Sequence, residues 1–80
     1  MRVLLFGRLS DVAGWRERSF DPAPASLSAL KALLAAADAA LAEALAGPGV
    51  QAAVNGVLTR GDTALGASAE VAFMPPMSGG

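Results

Sequence analysis

Apolar and polar positions follow three different rhythms along this chain, and each rhythm predicts an element. Residues 2–7 form an apolar, β-prone run, and residues 15–20 alternate bulky with charged positions until Asp21 and Pro22 end the stretch. These runs predict a first hairpin with a long connection. Pro22 and Pro24 favour an extended link to Ser26, whose hydroxyl is placed to cap a helix by accepting a bond from a free backbone N–H. Leu27, Leu30, Leu33, Leu34 and Ala37 recur at helical spacing and predict one apolar face of a central helix. Asp38 is a second capping residue, ahead of a short helix with Leu41 and Leu45 on one side, and Gly47 with Pro48 stops it.

Beyond Pro48 the pattern is that of sheet. Asn55-Gly56 separates residues 52–54 from residues 57–59, a strong hairpin signal, because a type I′ turn needs positive φ at both central positions. A last strand, residues 70–74, ends at Pro75-Pro76. The order is strand, strand, helix, short helix, strand, strand, strand. This predicts an α+β domain over residues 1–74, a ubiquitin-like β-grasp in which a mixed sheet carries one main helix plus a short second helix. Residues 75–80 are left as a flexible C-terminal Gly-Gly tail.

Alternation also assigns faces. With Glu70 toward solvent, Ala72 and Met74 share its side while Val71 and Phe73 face the helix; likewise Arg2, Leu4 and Phe6 point outward and Val3 and Leu5 inward. Val54 opposite Val57 belongs to the inner face, leaving Leu58 on the outer one. Phe6, Leu58 and Met74 are therefore expected to form one exposed apolar patch, a candidate docking surface.

Composition narrows the chemistry. Eighty residues make one small domain, and 54% hydrophobic content against 16% charged excludes a disordered chain. Six basic and seven acidic residues are scattered without a basic stripe, which argues against nucleic acid. The chain has no cysteine and no histidine, so thiolate nucleophiles, Cys-ligated metals and the commonest general base are all missing; no metal and no cofactor is expected. Residues 1–6 are too short for the apolar part of a signal peptide, and Asp38 and Glu43 interrupt the Ala/Leu stretch, so no membrane span is expected and the setting is read as cytoplasmic.

The remaining reactive element is the C-terminus. Pro75 and Pro76 cannot donate to a ladder and should turn the chain out of the sheet, and the six residues from Pro75 to Gly80 reach roughly 20 Å when extended. Met77, Ser78, Gly79 and Gly80 complete it, and glycines without a Cβ pass through a narrow channel. The Gly80 carboxylate is inert in water, but as an acyl-adenylate made by a partner enzyme it becomes an electrophile that sulfur can attack.

Three segments carry a family resemblance: Val3-Leu4-Leu5-Phe6-Gly7-Arg8-Leu9 with Ala13-Gly14, then Ala53-Val54-Asn55-Gly56, and finally Glu70 through Met74-Pro75-Pro76-Met77-Ser78-Gly79-Gly80. Here the sequence resembles the MoaD-like family, the small subunit of molybdopterin synthase. The resemblance implies a sulfur carrier, not an enzyme by itself, whose Gly80 is adenylated by a ubiquitin-activating-type adenylyltransferase and converted to a thiocarboxylate. It further implies insertion of the tail into the large subunit, within a heterotetramer of two large and two small subunits, to deliver sulfur for the dithiolene of molybdopterin. Met74 and Met77 stand where members often carry an aromatic or Ile and a Val, and residues 15–50 match only in pattern. A thiamine-type carrier, a ubiquitin-like protein modifier joined through Gly80 to lysines, and a β-grasp interaction domain are the alternatives.

Overall fold

The computed structural model describes residues 1–76, and the expected Met77, Ser78, Gly79 and Gly80 lie outside the described residues. Five strands form one mixed sheet: β1 (Arg2–Leu5), β2 (Glu17–Ser19), β3 (Gln51–Val54), β4 (Val57–Thr59) and β5 (Glu70–Met74), in the order β2-β1-β5-β3-β4. The two ends of the chain meet at its centre, where β1 and β5 run parallel with Val3 beside Val71 and Leu5 beside Phe73. The other pairings are antiparallel.

Three helices accompany the sheet: α1 (Arg8–Ala13), α2 (Leu27–Ala37) and α3 (Ala39–Leu45). The two expected caps are in place. Ser26 accepts from the Ala29 N–H at 3.1 Å, and Asp38 accepts from the Leu41 N–H at 3.1 Å. Val3, Leu5, Val71 and Phe73 from the sheet close on Leu27, Leu30 and Leu34 of α2 and Leu41 of α3, forming one core. Each of the largest of these side chains contributes about 1.5–3 kcal/mol by leaving water, and they hold the sheet and helices together.

Three features depart from the sequence reading. The long connection after β1 is a helix: Gly7 (φ +54) and Gly14 (φ +81) bracket α1, and Leu9 drops into the core. Six residues are too few for periodicity to register, and the two glycines were its signal. The buried stripe of α2 is Leu27, Leu30 and Leu34, whereas Leu33 is 46% exposed and Ala37 is exposed. At about 100° per residue Leu33 lies well to one side of that stripe. Finally, Val57 pairs with Val54 as expected but is 67% exposed, at the edge strand of the sheet, where none of the described residues covers it.

The turn itself is as expected, with Asn55 at φ +51 and Gly56 at φ +82. Asn55 does more than turn: its side-chain carbonyl accepts from the Glu70 N–H at 2.9 Å while its own N–H donates to the Glu70 carbonyl at 2.8 Å. That double link fixes the hairpin to the start of β5. No helix among the described residues is long and apolar enough to cross a membrane.

Candidate functional site

The outer face of the sheet is organised in rows set by register. One row runs Glu17, Leu4, Ala72, Ala53, Leu58 across all five strands. A second places Met74 opposite Gln51, and the Phe6 N–H donates to the Phe73 carbonyl at 3.1 Å, which carries the β1–β5 ladder on to Phe6 at the level of Met74. Phe6 is 48% exposed and Leu58 60% exposed, while Leu4, Ala72 and Met74 are half-buried. Phe6 and Met74 thus sit on adjacent strands. Leu58 lies two strands from β5, about 10 Å at the usual spacing, across the small side chain of Ala53.

Charge flanks this face, at its Arg2 end and along β2. Arg2 donates to Glu70, directly opposite it, and stands 3.6 Å from Glu17. The hydrogen bond to Glu70 and the two carboxylate charges raise the Arg2 guanidinium above its ordinary pKa. A hollow of about 590 Å³ lies beside Phe6, lined by Leu4, Ser10, Asp11, Arg16 and Glu17 among others. Trp15, half-buried, packs at the edge of the core with the Arg18 guanidinium 4.7 Å over its ring. Among the described residues no cluster of acidic, histidine or cysteine side chains is fit to hold a metal ion, and no side-chain polar atom is buried without a partner.

The tail exit adjoins the apolar face. The ladder ends at Met74, and the next two residues do not run straight into solvent. Pro75 is half-buried and Pro76 exposed, and both line a groove of about 490 Å³ with Leu9, Val12, Ala44 and Val50. Their rings lie against two glycines. A Cβ on Gly7 would stand 3.0 Å from Pro75 Cγ, and one on Gly49 would stand 2.7 Å from Pro76 Cβ. Real Cβ atoms are essentially never found closer than 3.0 Å to a neighbour, so position 49 admits glycine alone without a shift. Sequence reasoning passed over both glycines; their signal was a Gly directly after an apolar strand and a Gly directly after a Pro in a loop.

The model of the ThiS family matches residues 3–80. No curated protein matches the sequence. Among solved structures, the crystal structure of SAMP1 from Haloferax volcanii is 29% identical, with a TM-score of 0.84 over 99% of this chain and 97% of that one. A crystal structure of the H. volcanii small archaeal modifier protein 1 is 25% identical, with a TM-score of 0.82 over 95% of each chain. The mixed sheet with three helices is the ubiquitin-like β-grasp fold of those structures.

Proposed function

We propose, since the chain belongs to the ThiS family of ubiquitin-like sulfur carriers, that it carries sulfur as a C-terminal thiocarboxylate on Gly80 and donates it to the dithiolene of molybdopterin. Small carriers of this kind are generally non-catalytic, so the side-chain chemistry belongs to partners. In the first step a Gly80 carboxylate oxygen attacks the α-phosphorus of ATP and pyrophosphate leaves, giving an acyl-adenylate. In the second a sulfide-level sulfur attacks the acyl carbon and AMP leaves. No electrons are exchanged when the donor is sulfide, and no cysteine of this chain is needed.

One observation carries the reading: the exposed apolar face and the exit of the tail are adjacent, with Phe6 on the face and the next residue, Gly7, against Pro75. A partner docked on Phe6, Met74 and Leu58 receives Pro75, Pro76 and the residues after them, Met77, Ser78, Gly79 and Gly80, at the border of the contact. In this reading residues 1–74 are the docking domain and residues 75–80 the working tail. The partners are an adenylyltransferase of the ubiquitin-activating type and the large subunit of molybdopterin synthase, in a cytoplasmic assembly of two large and two small subunits. Phe6-Gly7-Arg8-Leu9 with Ala13-Gly14, a region that thiamine-type carriers lack while sharing the fold and the terminal Gly-Gly, supports this pathway over the thiamine type.

A second reading is favoured by a separate observation. Two similar solved structures are of SAMP1, a small archaeal modifier protein, and a modifier would join Gly80 to lysine amines on targets. The same activation step serves both. Incubation with ATP, sulfide and the host's activating enzyme, followed by intact-mass analysis, is expected to show exchange of one oxygen for sulfur in the full chain and none in a variant lacking Gly80. The loaded chain should then convert the pyranopterin precursor in the presence of the large subunit. Reductant-resistant adducts on a denaturing gel, with no mass gain on the free chain, would replace the carrier with the modifier.

A further inference from the structure

The two prolines that open the tail are held from two separate loops. Gly7, at the junction of β1 and α1, leaves the space of a Cβ to the Pro75 ring, and Gly49, in the loop between α3 and β3, leaves it to Pro76. Both glycines have positive φ, +54 and +80, so each turns the side on which a Cβ would stand toward a proline. Proline fixes its own φ near −65°, leaving each Pro one soft backbone dihedral. A ring seated on a neighbouring backbone restricts that one as well.

We infer that Gly7 and Gly49 are positioning residues, a two-point cradle that sets the heading of the tail relative to the apolar outer face and so presents the Gly80 carboxylate to the activating enzyme. The inference rests on the carrier reading for its chemistry, and on the contacts at Pro75 and Pro76 for its geometry. Phe6 directly precedes Gly7, whereas Gly49 lies in the loop between α3 and β3, away from Phe6 and Leu58 in sequence, so the cradle is disturbed at Gly49. Disturbing the cradle therefore leaves association intact and misplaces the reacting carboxylate, and misplacement by about 1 Å is enough to slow a reaction by about a hundredfold.

A matched control separates seating from backbone strain. Gly14 has φ +81, nearly the value at Gly49, yet a Cβ there meets nothing within 4 Å. Gly14→Ala therefore carries a comparable positive-φ penalty without touching the tail. The experiment is steady-state ATP–pyrophosphate exchange by the host's activating enzyme on the full 80-residue chain, run below the unfolding temperature of every variant. Gly49→Ala is expected to lower kcat by at least about tenfold with KM for the carrier unchanged within about twofold. Gly7, at φ 54 and ψ −131, lies outside the left-handed helical region that Gly14 occupies, so the control does not match its strain and Gly49→Ala carries the test. Gly14→Ala should match the unaltered chain in both constants.

In parallel, a nuclear Overhauser effect between the Gly49 α-protons and Pro76 β-protons is expected in the free protein, and its absence would overturn the seating of Pro76 on Gly49. Equal kcat for Gly49→Ala and the unaltered chain, or an equal fall in Gly14→Ala, would overturn the cradle while leaving the carrier reading in place. Failure of the unaltered chain to exchange at all would overturn the carrier reading and the positioning role with it.

Discussion

Phe6 and Phe73 are neighbours across the central β1–β5 ladder, and the same side chain does opposite work in the two positions. Phe73 is 1% exposed at the heart of the core, whereas Phe6 is 48% exposed on the outer face. Phe73→Ala is expected to cost about 3–5 kcal/mol, a large share of the roughly 5–15 kcal/mol that holds such a domain, so urea unfolding should show a collapse of the midpoint. Phe6→Asp and Leu58→Asp remove side chains that are only partly covered, so they should cost far less than Phe73→Ala, leaving a folded monomer with a cooperative transition while weakening partner binding. Unfolding of either Asp variant in isolation would make these residues part of the core and remove the docking face. Alternation alone separated these two roles, because each strand residue can face only the helices or solvent. It could not foresee the exposure of Val57 and Leu33. Their burial depends on what other elements cover, and period counting carries no information about the reach of a cover.

At the scale of elements, the N-terminus of α2 is held by more than its own cap. Asp62, from the loop after β4, accepts from the Ser28 N–H and the Ser28 hydroxyl, both at 2.8 Å, and from the Thr63 N–H at 2.9 Å. The Ser28 N–H above all, then its hydroxyl, lowers the carboxyl pKa from the ordinary 3.8, since these donors favour the ionised form. A group whose pKa is depressed on folding stabilises the fold above its unfolded value and loses that contribution as pH falls through the folded value. Urea midpoints of the unaltered chain and Asp62→Asn should therefore differ by a constant amount from pH about 7 down to about 4, and converge below that. A gap that persists unchanged in acid would mean that the carboxylate charge is not what joins loop to helix. The loop was legible in the sequence only as a loop. A contact between residues 28 and 62 leaves no local pattern, whereas the caps at Ser26 and Asp38 were legible because donor and acceptor lie three residues apart. α1 was missed for a related reason: its two turns are held by Leu9 in the core and by the glycines at either end, not by a repeating stripe.

For the molecule as a whole, the two chain ends joined as β1 and β5 place the docking face and the tail on one rigid centre. Phe6 directly follows the first strand and Met74 ends the last, so the face is complete only when the parallel pair has formed, and the tail leaves from that pair. The motifs at both ends of the sequence were readable because they are brought side by side. The seating of the tail was not, since it joins residue 7 to 75 and residue 49 to 76. The same geometry predicts how association should respond to salt. Net charge is only −1 and the exposed Phe6 and Leu58 are uncharged, so net long-range attraction contributes little. Calorimetric titration with the partner should show an affinity that changes by less than about tenfold, about 1.4 kcal/mol, between low and high salt. It should also show a negative heat-capacity change, the mark of apolar surface leaving water. A steep loss of affinity with salt would locate the contact at the arginines instead, because screened charge pairs weaken with ionic strength and an apolar contact does not.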